Sequence, residues 1–153
     1  MTDDFDVVKA DKSFAKMFFN DTWTYLDKAA RAEEETEAMI HCCHASFHHW
    51  SRVADKTPTN AAIGYWQLSR AYAVAGRAEE AGRYGLRCLA VAETATDDVW
   101  VSASAHEALA RVAALKGDRR SRDEHLSVAR AIAATVTDEE TRKILAADID
   151  SVP

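Results

Sequence analysis

Apolar positions along this chain recur at spacings of three and four, the period of an amphipathic helix. Phe14, Met17, Phe18, Tyr25 and Leu26, with Trp23, predict a first helix near 12–28. The acidic lead before it, 1–11, is expected to be flexible. Ala29 to Ala32 form a weak break, and Glu33, Glu34 and Glu35 then open a second helix, where acids favour the dipole. Ile40, Cys43, Phe47, Trp50 and Ala54 share one stripe of it. The segment 55–60 is the clearest loop. Pro58 is costly inside a helix, and Asn60 suits an N-cap.

Further helices are predicted near 61–75, 78–94, 99–116 and 119–135, with Gly76 and Gly117 as helix stops and 94–98 as a loop capped by Thr96, Asp97 or Asp98. Thr137 and Glu140 have capping-box spacing before a last helix ending near Asp150. The pattern holds about seven helices. Six form three antiparallel hairpins and the seventh caps the stack. The expectation is a single all-α domain over 1–153.

The stretch from Ala62 to Leu89 returns about 41 positions later as Ala103 to Arg130. Leu68 maps onto Leu109, Ser69 onto Ala110, Gly76 onto Gly117 and Cys88 onto Ala129. A unit of this length cannot bury its apolar face alone, so it stacks on copies of itself. The small residues Ser69, Ala81, Ala110 and Ala129 let helices approach closely.

Tyr65, Leu68, Ser69, Tyr72 and Gly76, followed by Ala81 and Cys88, resemble a tetratricopeptide repeat. Leu109, Ala110, Gly117, Leu126 and Ala129 give a second, looser match. Gly85 occupies the place of an expected aromatic, with Tyr84 beside it. The stretch with His44-Ala45-Ser46 and Trp50 is similar to a group of small, uncharacterised bacterial proteins of this type, which implies no activity. The resemblance implies a right-handed array of hairpins with an inner, partner-binding face. It places Trp66, Arg70, Glu107 and Arg111 there, exposed and available to a protein or peptide, although a register slip of one would equally make Trp66 core.

Composition narrows the classes. The chain has 153 residues, 48% of them hydrophobic, with only 5 glycines and 2 prolines, which favours helix over turn-rich β architectures. The formal net charge is -6, so no nucleic-acid footprint is expected. The basic run Lys116 to Arg122 reads as a solvated turn. No signal peptide and no membrane span is expected. Three cysteines, with Cys42 and Cys43 adjacent, point to reduced thiols and a cytoplasmic setting rather than a disulfide framework. Cys43 falls on the core stripe, and Cys42 is expected to be partly exposed without a partner that would make it a nucleophile.

Glu37, His41, His44 and His48 share one flank of the second helix and are the candidate ligands for a transition metal. One helix flank supplies too few convergent ligands, so others, such as His106, would have to come from elsewhere. Ser46 is assigned to another face, and His49 is expected to be exposed. Gly82 and Gly85 lack a phosphate-loop context. The leading reading is a non-catalytic protein- or peptide-binding scaffold without a cofactor. The alternatives are a metal-binding protein or metal-dependent enzyme built on the histidine helix, and a self-associating subunit, a homo-oligomer using Trp100 or Trp23.

Overall fold

The computed structural model describes residues 6–153, so the first five residues of the acidic lead lie outside the described residues. Seven helices follow one another, α1 (Val7–Leu26), α2 (Glu33–Arg52), α3 (Pro58–Val74), α4 (Ala78–Ala92), α5 (Trp100–Leu115), α6 (Arg119–Ala133) and α7 (Glu139–Asp150). No strand occurs among the described residues. Neighbouring helices pack as the hairpins α1/α2, α3/α4 and α5/α6. The chain divides into two compact units, 1–56 and 57–153.

The first unit is the α1/α2 hairpin. The helix α1 starts at Val7, five residues before the predicted position, because Asp6 caps it by accepting from the Lys9 amide at 3.0 Å. Small side chains let the two helices approach: Ala15 and Thr22 are fully buried on α1, and Ser46 is buried on α2. The Ser46 hydroxyl donates to the Ala15 carbonyl at 2.8 Å. This corrects the predicted stripe. Met39, Cys43 and Ser46 form the buried line of α2, Ile40, Phe47 and Trp50 are half-buried, and Ala54 is exposed beyond the helix end.

The second unit carries the repeat. The helices α3 and α4 map onto α5 and α6 at the same offset, and the turns agree in detail. Gly76 and Gly117 have φ of 76° and 75°. Arg77 N–H donates to the Tyr72 carbonyl and Asp118 N–H to the Ala113 carbonyl, both at 2.9 Å. These are the long bonds of a Schellman stop, which needs a left-handed residue and so favours glycine. A Cβ at Gly117 would meet nothing within 4 Å, so Gly117→Ala tests the backbone alone. It is expected to cost about 1–2 kcal/mol in denaturant unfolding.

Leu68, Tyr72, Leu109 and Leu126 are buried, as the repeat register requires. The Ser69 hydroxyl donates to the Ala81 carbonyl at 2.8 Å, joining α3 to α4 without bulk. Leu145 and Ile149 carry α7 into a core with Ala103, Ala110, Leu126, Ala129, Ala133 and Val136.

The cap positions differ from the predicted ones. Thr57 caps α3, with Pro58 in the first turn. Asn60 sits three residues on, where its carboxamide oxygen accepts from the Thr57 amide at 3.0 Å. Asp138, not Thr137, caps α7 by accepting from Thr141 N–H at 2.8 Å. Val99 precedes α5, while Asp98 accepts from Thr59 at 2.6 Å. Neither Trp100 nor Trp23 is exposed: Trp100 packs against the α7 core and Trp23 is half-buried.

Candidate functional site

One repeat position recurs three times in the second unit. Trp66 on α3, Glu107 on α5 and Asp148 on α7 are successive equivalents. Arg70 and Arg111 follow one turn after the first two. The structure brings all five together.

Glu107, 1% exposed, is the hub. Its Oε2 accepts the Trp66 indole N–H at 2.7 Å. Its Oε1 accepts Arg111 Nε and Nη2 at 2.9 and 2.7 Å and Arg70 Nη1 at 3.3 Å. Arg70 also pairs with Asp148 at 3.5 Å. Arg111 reaches α7, donating to the Ser151 hydroxyl at 2.7 Å and the Asp148 carbonyl at 3.3 Å.

Two carboxylates therefore face two guanidinium groups, and their charges balance. Burial pushes the Asp148 carboxyl up from its ordinary range, against the pull of Arg70. Burial lowers the Arg70 guanidinium, opposed by Glu107. Among the described residues no buried side-chain nitrogen or oxygen lacks a partner, so the network is satisfied throughout and acts as rigid cross-bracing.

The expected exposure of these residues is thus corrected. Trp66 and Arg111 are each 9% exposed, and Arg70 is half-buried. The reason is mutual pairing: at this spacing an indole donor, a carboxylate and two guanidinium groups satisfy one another. Asp148 and Ser151 were not singled out from the sequence. The offset repeated once more reaches Asp148, and a carboxylate there, facing arginines one repeat back, was the signal for it.

The histidine helix reads differently from its pattern. Glu37, His41 and His48 are exposed and His44 is half-buried. Among the described residues no three His, Cys, Asp or Glu side chains are grouped to hold a metal ion. His49 is not exposed as predicted. Its Nδ1 donates to Asp11 Oδ1 at 2.7 Å, and Arg52 Nε donates to Asp11 Oδ2 at 2.9 Å. Those two hydrogen bonds hold the Asp11 carboxyl below its ordinary range. Phe14 and Phe18 pack against the His49 ring at 5.3 and 6.0 Å between centroids.

None of the three cysteines is in a disulfide. Burial raises Cys43 and pushes the Cys88 thiol up to about 12, and Cys88 donates to the Ala62 carbonyl at 3.3 Å. Neither is an activated nucleophile.

His106 pairs with His125 across α5 and α6, Nδ1 to Nδ1 at 3.0 Å. This is the repeat equivalent of the Tyr65–Tyr84 stack, whose centroids lie 6.2 Å apart. Burial lowers the pKa of both imidazoles. His125 lowers His106 further, while Glu124 partly opposes the shift on His125. The folded state therefore binds fewer protons than the unfolded chain, whose histidines titrate near about 6.5. Stability should fall as pH drops through that value towards the folded pKa values, and be unaffected by this pair above it. His106→Tyr with His125→Tyr, copying the first hairpin, should flatten the melting temperature between pH 7 and pH 5 relative to wild type. An unchanged slope would mean the pair stays solvated.

No protein-family model, no curated protein and no solved structure matches this chain. No helix among the described residues is long and apolar enough to cross a membrane.

Proposed function

We propose that this chain is a non-catalytic, tetratricopeptide-like helical module that binds a protein or peptide segment in the cytoplasm. The observation that carries this reading is the line of equivalent positions on α3, α5 and α7, braced by Glu107 and spanning three successive first helices of the repeat. Repeat arrays use such a face for extended ligands, and preorganisation lowers the ordering cost of binding. Trp66, Arg70, Glu107 and Arg111 then serve as the partner face by fixing its floor. The outer edges of Arg70 and Asp148, 14% and 23% exposed, supply the polar contacts. Three cysteines outside any disulfide suit a reducing compartment.

Ile63 and Ser104 are repeat equivalents one turn before Trp66 and Glu107, and both are half-buried. Ser104→Arg adds bulk beside the floor while leaving every member of the network in place. Proteins captured from native lysate should be identified by mass spectrometry, purified and titrated by calorimetry. The variant is expected to melt within a few degrees of wild type and to lose at least about tenfold in affinity, roughly 1.4 kcal/mol. Equal affinity in a folded variant would remove this face as the binding surface.

A further inference from the structure

A second surface of the same unit has the features of a recognition site. Arg83 and Arg87 lie one turn apart on α4, and both are exposed. Both guanidinium groups rest on the Tyr84 ring, with Cζ at 5.1 and 6.0 Å from its centroid. Tyr84 is fixed by stacking on Tyr65 and Tyr72, at 6.2 and 5.7 Å between centroids. Among the described residues neither arginine has an ion-pair partner, although Glu79 stands four positions before Arg83, the spacing of a helical salt bridge. Leu86, between them in sequence, is 62% exposed. Lys116 belongs to the same neighbourhood: a Cβ at Gly82 would lie 4.0 Å from its ammonium.

Like charges four apart on a helix destabilise it. The packing of the repeat does not ask for them, because the equivalent positions of the second hairpin are Glu124 and Val128. In a chain of net charge -6, two preoriented guanidinium groups beside an exposed leucine are a local reversal of sign. Planar forks of this kind match paired carboxylates. Aromatic stacking restricts their motion before a ligand arrives.

We propose that Arg83, Arg87 and Leu86 form a docking site for an acidic peptide segment that carries a hydrophobic residue. Carboxylates of the segment would pair with the two arginines, and its apolar side chain would cover Leu86. This rests on the binding-module reading and adds a partner chemistry and a surface away from the Glu107 network.

The probe is a fluorescein-labelled twelve-residue peptide of Glu and Asp with two leucines four apart, followed by anisotropy. Saturable binding is expected, weakened at least about tenfold by Arg83→Gln with Arg87→Gln. Leu86→Ser should weaken it about threefold or more, and raising salt from 50 to 200 mM should weaken it also. Circular-dichroism melts report folding. If the glutamine pair does not fold, Arg83→Lys with Arg87→Lys retains charge but loses the planar fork, and should bind at least about threefold more weakly than wild type.

Absence of wild-type binding up to millimolar peptide overturns the proposal, as does unchanged affinity in whichever arginine variant folds. Equal binding of a leucine-free peptide or of a twelve-nucleotide oligothymidylate overturns it too, because the surface would then attract any polyanion. If Ser104→Arg blocks the native partner while the acidic probe fails, this site falls and the scaffold reading stands.

Discussion

Glu107→Ala is expected to lower unfolding stability by about 3–5 kcal/mol, the typical cost of breaking a buried ion pair from one side. The carboxylate is 1% exposed and accepts bonds from Trp66, Arg70 and Arg111. Its removal leaves an indole donor and a buried Arg111 guanidinium short of an acceptor, and Asp148 alone cannot serve both. Glu107→Gln should cost less, because the amide oxygen still accepts from Trp66. Urea unfolding with an unchanged slope is the measurement. A loss below about 1 kcal/mol for the alanine variant would mean that the arginines find water instead.

Leu109→Ala is expected to cost about 2–5 kcal/mol. Leu109 is 8% exposed and fills the space left by a missing side chain on α4. A Cβ at Gly85 would lie 3.0 Å from Leu109 Cδ2 and 3.4 Å from the Ser69 hydroxyl. Leu109 therefore occupies the volume that a side chain at Gly85 would need. It follows that Gly85→Ala should destabilise the wild-type protein. In the Leu109→Ala background it should be neutral or stabilising, since alanine gains about 1 kcal/mol of helix propensity over glycine. The same sign of effect in both backgrounds would contradict this contact.

The repeat was legible in the sequence because its punctuation is chemical. Gly76 and Gly117 mark left-handed stops, and the small residues Ser69, Ala81, Ala110 and Ala129 mark close approaches that few residue types allow. The first hairpin was less legible. Its contact runs through Ala15, Thr22 and Ser46 rather than through the larger Phe47 and Trp50, so the apolar stripe misplaced the buried line by part of a turn. His49 was assigned to solvent because its partner, Asp11, stands 38 positions earlier, in a lead expected to be flexible.

Trp66 and Arg70 both reach Glu107, and of the two only Trp66 has core as an equal alternative on the sequence pattern. Periodicity gives the direction of a side chain and not what stands opposite it. The needed clue was that equivalent positions on successive helices carry complementary groups, a donor at Trp66 and acids at Glu107 and Asp148.

The central claim is that equivalent positions of successive hairpins bond to one another. A double-mutant cycle on Trp66→Phe and Glu107→Ala, each of which removes the bond, tests it most directly, because the two residues lie 41 positions apart and meet only if the hairpins stack in this register. The account predicts a coupling energy of at least about 1 kcal/mol in denaturant unfolding. Additivity of the two single losses to within about 0.3 kcal/mol would contradict it.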